Sequence, residues 1–380
     1  MSLTDIPAVP GRKAQPGDAP LDEHRFPCPT CGADLRYSPG TSDLVCDHCG
    51  AVEPIPDAGN GGEAARELDY ARAIDNRLAA SEIQEVRSTR CPNCGALVEF
   101  TGADHARECP FCATPVVIDT GSHRQIKPRG LLPFRLPEAE ARRALTDWLG
   151  RIWFAPNGLK EYARKGRAMD GIYVPYWTFD ADTRSDYRGE RGDAYYTTRT
   201  VVRNGKTETI QERHVRWSAR RGTVARFFDD VLVLASRSLP KGYADRLEPW
   251  DLEALQDYRP EYLAGFRAEG YTVELAEGMV EARAEMDRVI LQDVRHDIGG
   301  DEQRVHSVDT VLSDVTFKHI LLPIWLAAYK YNGRSFRFVV NARTGEVQGE
   351  RPWSAWKIAF AVVLAVIVAG IAAWIYSQNQ

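Results

Sequence analysis

All eight cysteines of the chain fall into two windows of identical layout. "CPTCGADLRYSPGTSDLVCDHC" runs from Cys28 to Cys49, and "CPNCGALVEFTGADHARECPFC" runs from Cys91 to Cys112. Each reads C-x2-C, fourteen residues, C-x2-C. Two residues between ligands let one tight turn point both sulfurs at one metal, and two such knuckles close a tetrahedron of thiolates about 2.3 Å from the ion. The expected ligands are therefore Cys28, Cys31, Cys46 and Cys49 in one site and Cys91, Cys94, Cys109 and Cys112 in the other. Zinc fits this set better than iron, giving two structural Zn²⁺ ions. Gly32, Gly50 and Gly95 follow their knuckles, where a positive φ turns backbone amides toward the sulfurs. Ala113 stands at the fourth such place. A redox dithiol needs one activated pair, so two complete tetrads favour metal. Four protein ligands leave no open coordination position, and neither site is expected to be catalytic.

Other chemistry-bearing signatures are sparse. The chain has no G-x-x-x-x-G-K-[ST], no H-E-x-x-H and no G-x-S-x-G. "VVRNGKT" lacks the leading glycine of a phosphate loop and reads as a hairpin turn. "GGDEQRVH" reads as a solvated loop, and His296, His306 and His319 share no ligand spacing. An enzymatic site, were there one, would sit among the acids and aromatics near Asp180, Asp229 and Asp230. The reading is a non-enzyme.

These residues must be positioned by the rest of a 380-residue chain. The N-terminus has no apolar h-region, which sets the cysteines in a reducing cytosol and favours metal over disulfides. At the other end, Ile358 to Tyr376 is nineteen residues without a charge, about the span of a bilayer core. Trp353, Trp356, Trp374 and Tyr376 sit at its ends, with Arg351 and Lys357 on its N-terminal side. The expectation is a tail-anchored protein of the bacterial inner membrane, single-pass, with residues 1–357 cytoplasmic.

Between the two ends the composition predicts an α+β protein. Residues 1–25 are a disordered N-terminus, 26–55 the first zinc ribbon, 56–88 a linker and helix, 89–118 the second ribbon, 123–350 an α+β domain and 358–376 a transmembrane helix. Helices are expected at "EAARELDYARAIDNRLAASEIQEV", from Pro137 onward, and across Trp250–Ile298, where Leu275, Met279, Ala282, Met286, Ile290 and Val294 recur at helical spacing. β runs flank Asn204-Gly205 and Asn332-Gly333, both hairpin signals. "RFFDDVLVLAS" is compatible with a buried strand or a short helix. "IYVPYWTFDAD" and "ILLPIWLAAYK" share apolar-x-x-Pro-x-Trp, an echo compatible with a duplicated helix-then-sheet unit.

Net charge is −5 but unevenly spread. Residues 1–122 carry 10 basic and 19 acidic side chains, 123–226 carry 22 and 12, and 227–380 carry 16 and 22. The ribbons are acidic, and four thiolates on one Zn²⁺ add a formal −2 per site, which argues against phosphate-backbone binding there. The basic middle reads as a face balanced by acidic neighbours, as a surface for anionic lipid, or as a nucleic-acid surface if Trp217 and Tyr195 or Tyr196 share a face.

The two ribbons, "IKPRGLLPF", "GIYVPYWTFDADT", "RRGTVARFFDDVLVLAS" and "HILLPIWLAAYKYNGRSFRFVVNARTGEVQGERPWS" together resemble the bacterial membrane-anchored double zinc ribbon proteins. These are often labelled TFIIB-type zinc ribbon, or primosomal protein N′ (replication factor Y) helicase-like. The resemblance implies eight cysteine ligands and protein partners at the membrane, flotillin-type scaffold proteins among them. The helicase label has no ATP-binding loop to support it here. "FVVNARTGEV" also resembles the end of a PepSY-type unit. The function expected is a non-catalytic adaptor or scaffold that docks protein partners, with a nucleic-acid accessory role in replication or transcription as the alternative.

Overall fold

The computed structural model describes residues 26–56, 62–99, 106–112, 114–117, 122–151, 169–203, 206–331, 334–350 and 355–378. The expected disordered N-terminus, Ala113, Arg351, Trp353 and the two Asn-Gly turns lie outside them. Strands β1 (Leu35–Tyr37), β2 (Asp43–Cys46) and β3 (Val52–Pro54) form the antiparallel sheet of the first ribbon. β4 (Leu68–Asp69) and α1 (Tyr70–Ile74) follow. Of the long helix expected over Glu63–Val86, only this α-helical turn and a 3₁₀ turn at Ala80–Glu82 form. Asp69 caps the α-helical turn by accepting from the Arg72 amide, Asn76 at φ 55° ends it, and Leu68 is taken into a sheet opposite Phe317. Tertiary pairing outweighs local propensity there.

β5 (Ile83–Arg90), β6 (Leu97–Glu99), β7 (Ala106–Glu108), β8 (Pro115–Val117) and β9 (Ser122–Ile126) carry the second ribbon and its flanks. β10 (Gly130–Leu131) precedes α2 (Glu138–Arg151), the helix expected after Pro137, which buries Ala141, Leu145 and Leu149. β11 (Asp170–Arg203) and β12 (Lys206–Leu234) pair antiparallel from Tyr176↔Leu234 to Arg203↔Lys206. "RFFDDVLVLAS" is thus strand, interrupted by a bulge where Asp230 takes φ 51°.

The helix expected across Trp250–Ile298 begins only at Leu275. The preceding stretch holds short 3₁₀ turns and strands β13 (Gln256–Asp257) and β14 (Arg267–Gly270). α3 (Leu275–Ile298) buries Leu275, Ala282, Met286, Ile290 and Val294 of the expected stripe, and Met279 is half-buried. Gly278 lets it approach the sheet, since a Cβ there would lie 2.7 Å from Trp177 Cδ1. β15 (Glu302–Tyr331), β16 (Arg334–Asn341) and β17 (Val347–Gly349) complete the domain, and α4 (Ala355–Gln378) follows it. "GGDEQRVH" is therefore a glycine turn feeding straight into β15.

Among the described residues, twelve strands join one sheet with β11 and β15 antiparallel at its centre. The two Pro-x-Trp motifs flank one point of this pairing, where Val174 faces Leu322. β10 runs parallel to β15 at Gly130↔Ile320, and β14 runs parallel to β11 at Ile172↔Arg267. Each half therefore contributes a short strand, a helix, a long strand and a return strand, and each short strand pairs with the other half's long strand. Beyond Gly192↔Glu302 the sheet narrows to a two-stranded arm, Asp193–Arg203 against Lys206–Arg216.

α4 is long and apolar enough to cross a membrane over Ala359–Tyr376, with mean hydropathy 2.5 and none of it buried.

Candidate metal centres and a buried charge cluster

In the first ribbon the Cys28 and Cys49 sulfurs lie 3.5 Å apart, as do those of Cys31 and Cys46. In the second, Cys91–Cys112 and Cys94–Cys109 are 3.5 and 3.6 Å apart. Thiolates about 2.3 Å from a tetrahedral ion stand about 3.8 Å from one another. A disulfide needs about 2.05 Å, and all eight thiols are free. Within each tetrad the four sulfurs lie within 4.8 Å of one another. Two four-cysteine clusters of zinc-binding geometry are therefore present.

The local sequence builds them. Gly32, Gly50 and Gly95 take φ of 76°, 76° and 77°, and each amide bonds back to the carbonyl of the first cysteine of its knuckle. In every knuckle the first cysteine is buried, whereas Cys31 and Cys49 are exposed. The Cys94–Cys109 bond drives the two thiols apart. It draws Cys94 down to about 5 and, with burial, holds Cys109 far above the usual thiol range. A divalent cation is the natural means of holding four thiolates so close.

Neither ribbon stands apart from the core. Tyr37, 1% exposed, packs in one cluster with Cys28, Cys46, Phe134, Tyr173, Trp325 and Phe338. Its hydroxyl donates to the Thr41 and Phe134 carbonyls at 2.9 and 3.3 Å, and its amide donates to Ala264 O at 3.0 Å. The second ribbon buries Cys91, Cys109 and Phe111 with Leu132, Val174 and Leu322, and β6 pairs with β14. At that seam Glu269, 2% exposed, accepts from Ser236 and Ser238 at 2.8 Å, and burial pushes it up to about 8. Both ribbons share the core of the domain. Cysteine spacing carries no sign of this, since it depends on what Tyr37 and Phe111 meet.

The acids singled out in the sequence separate. Asp229 is exposed, while Asp180 and Asp230 meet Glu67 with their oxygens within 4.8 Å of one another. The bulge at Asp230 aims this group. Lys318 Nζ sits 2.8 Å from both Glu67 and Asp230, Thr316 donates to Glu67, and the Asp230 amide donates to Asp180 at 2.7 Å. Glu67 and Lys318 had no signal in the sequence, since 251 residues separate them. Burial, then the hydrogen bond to Glu67, pushes Asp180 up to about 7. For Glu67 burial acts upward, but the bonds to Asp180, Lys318 and Thr316 outweigh it and its acidity rises. Lys318 is raised to about 12, because Asp230 and Glu67 overcome burial. The ammonium already stands where a metal would bridge Glu67 and Asp230. His319 lies on the other face, with Nδ1 on the Ile126 carbonyl, and burial lowers it to about 4.

A cleft of about 350 Å³ opens between the first ribbon and the domain, lined by Tyr37, Phe134, Arg135, Tyr262 and Arg343 among others. No carboxylate, histidine or cysteine lines it, and Asp251 and the Pro133 carbonyl already hold Arg343. The cleft and the charge cluster do not meet, so together they do not make an acid–base site.

The basic middle is partly neutralised by the rest of the chain: Arg226 pairs with Asp293 and Arg213 with Glu302. Tyr196 and Trp217 do share a face, opposite Arg213 and Gly192, whereas Tyr195 faces the other way and stacks on His214. The Trp217 ring is covered by the Arg304 guanidinium, 3.8 Å from its centroid.

No protein-family model matches the chain, and no solved structure matches it. The chain is similar to "Uncharacterized protein YdjG" of Bacillus subtilis (strain 168), 26% identical over 343 residues, which covers 88% of this chain and 92% of that protein. The likeness spans most of both chains and carries no activity with it.

Proposed function

We propose that this protein is a membrane-tethered, non-catalytic adaptor of the double zinc ribbon type, holding protein partners at the bacterial inner membrane. One observation carries the reading most: both thiolate tetrads are complete without solvent or substrate, yet the first ribbon presents its Cys31 and Cys49 knuckles to solvent. Closed metal sites fold a surface, and an exposed knuckle offers it. The chain anchors through α4, with residues 1–357 in the cytoplasm. The zinc ions are structural, and the mirrored layout of the two halves fits a duplicated helix-then-sheet unit. Flotillin-type scaffold proteins are the partners to which the family resemblance points.

The test is cross-linking in native membranes with Thr30→Arg and His48→Glu variants, which alter the exposed knuckles and leave the ligands intact. Loss of the cross-linked partners with zinc retained supports the adaptor, and an unchanged partner set overturns it. A nucleic-acid role draws support from Tyr196 and Trp217, which share one face where the arm leaves the sheet. It requires saturable binding of a single-stranded oligonucleotide that weakens steeply with salt. The adaptor reading expects a flat isotherm.

A further inference from the structure

The cleft between the first ribbon and the domain belongs to neither metal centre, and its walls are unbalanced in charge. Two guanidinium groups, Arg135 and Arg343, line it, and no carboxylate does. The Arg343 side chain is 12% exposed and held in place. Its Nε and Nη2 donate to Asp251, and Nη1 donates to the Pro133 carbonyl at 3.1 Å. A guanidinium has five N–H donors, so two stay unused. Arg135 is exposed, and no carboxylate pairs with it among the described residues. Burial acts upward on Asp251, but Arg343 outweighs it and Arg135 adds to the pull, so the carboxyl is held below its usual range. One carboxylate thus serves two cations, which leaves the lining an excess of one positive charge.

Tyr262 points the same way by a separate route. The residue is 2% exposed and lines the cleft, yet its hydroxyl has no hydrogen-bond partner among the described residues. Its neighbour Tyr37 differs, because that hydroxyl already donates to the Thr41 and Phe134 carbonyls. Buried hydroxyls nearly always find a partner, and the cleft is the open space that Tyr262 borders.

The ribbon closes the other side. Gly40, at φ 82°, donates its amide to the Phe134 carbonyl at 2.9 Å, and a Cβ there would lie 3.0 Å from the Arg135 carbonyl. Whatever Arg135 holds is therefore felt at the ribbon's turn. A volume of about 350 Å³ is at the small end of ligand pockets. One excess charge matches a monoanion, and guanidinium forks with a hydroxyl donor beside them suit the two oxygens of a carboxylate. Phe134 and the two tyrosine rings give the apolar wall that a carbon skeleton needs.

We propose that this cleft binds a small organic monocarboxylate, held by Arg135, the free N–H groups of Arg343 and the Tyr262 hydroxyl, and that its occupancy clamps the turn of the first ribbon against the domain. The proposal stands apart from the adaptor reading, because binding is read on the protein alone, without any partner.

The test is calorimetric titration of the full-length protein in detergent with acetate, benzoate, benzamide and inorganic phosphate. Acetate or benzoate should saturate one site per chain. Benzamide, the neutral match of benzoate, should bind about tenfold more weakly or worse, and Arg135→Gln and Tyr262→Phe should each weaken the carboxylates by a similar factor. Tyr262→Phe removes only an unpaired hydroxyl, so two bound zinc ions and the unfolding midpoint of the free protein should stay unchanged. Amide exchange at Gly40–Asp43 should slow when the carboxylate is bound. No saturable carboxylate binding up to about 10 mM overturns the proposal. So does benzamide or phosphate that binds as tightly, affinity indifferent to both substitutions, or exchange at Gly40–Asp43 that does not change.

Discussion

If the first ribbon is part of the domain core, damaging its apolar contact must be felt in the central sheet. Tyr37→Ala is the sharpest such change. The ring is 1% exposed and meets Tyr262 edge-on at 5.2 Å, and the hydroxyl serves two carbonyls. Truncating a buried aromatic costs about 3–5 kcal/mol, including the cavity left behind. A further contribution of about 1 kcal/mol comes with the hydroxyl's hydrogen bonds, so Tyr37→Phe should lose only that. The assay is amide exchange across Tyr173–Phe179 and Ile320–Leu326, which lie on β11 and β15 and not in the ribbon. Both segments should lose protection together with the ribbon, by a factor of 100 or more for Tyr37→Ala. Zinc chelation should do the same, because it releases Cys28 and Cys46 from the same cluster. If the ribbon exchanges freely while the central strands keep their protection, the ribbon is an independent module and this account of the core is wrong.

Three further outcomes follow from the same structure. The native cluster holds a proton on Asp180 up to about pH 7, whereas the unfolded side chain releases it near 3.8. The folded state thus binds more protons between those values, and stability falls as pH rises through the window, by at most about 4 kcal/mol before the opposite shift of Glu67 is set against it. Asp180→Asn should flatten that part of the profile of unfolding midpoint against pH. Lys318→Met strands Glu67 and Asp230 and should cost about 3–5 kcal/mol in chemical denaturation, and adding Asp230→Asn should recover part of the loss. Elemental analysis should find two zinc ions per chain, falling to one on Cys46→Ser or on Cys109→Ser, each with a lower thermal midpoint.

Where a property depends on residues near each other in the chain, the sequence was sufficient. The metal tetrads rest on two short spacings and a glycine at positive φ. The apolar C-terminal helix rests on length and hydropathy, α2 and α3 on periodic apolar residues, and the hairpin strands on Asn-Gly. The helices over Glu63–Val86 and before Leu275 failed for a shared reason. Leu68 and the residues of β13 and β14 gain more from strand partners far along the chain, and ahead of Leu275 Pro260 and Gly265, at φ 81°, also break a helix. The candidate acids were legible only in part. Asp180 and Asp230 stand out as residues, but the bulge that turns Asp230 inward and Asp229 outward is a matter of register between β11 and β12.

The sequence by itself determined that this chain carries two closed thiolate sites at one end and an apolar helix at the other, because coordination geometry and bilayer thickness act over a few consecutive residues. Tertiary structure alone decided that Tyr37 seats one ribbon in the core, that the Lys318 ammonium stands between Glu67 and Asp230, and that β10 and β14 each pair with the other half's long strand. Each of these depends on which strand lies beside which, and that is settled by long-range pairing and packing rather than by any local run of residues.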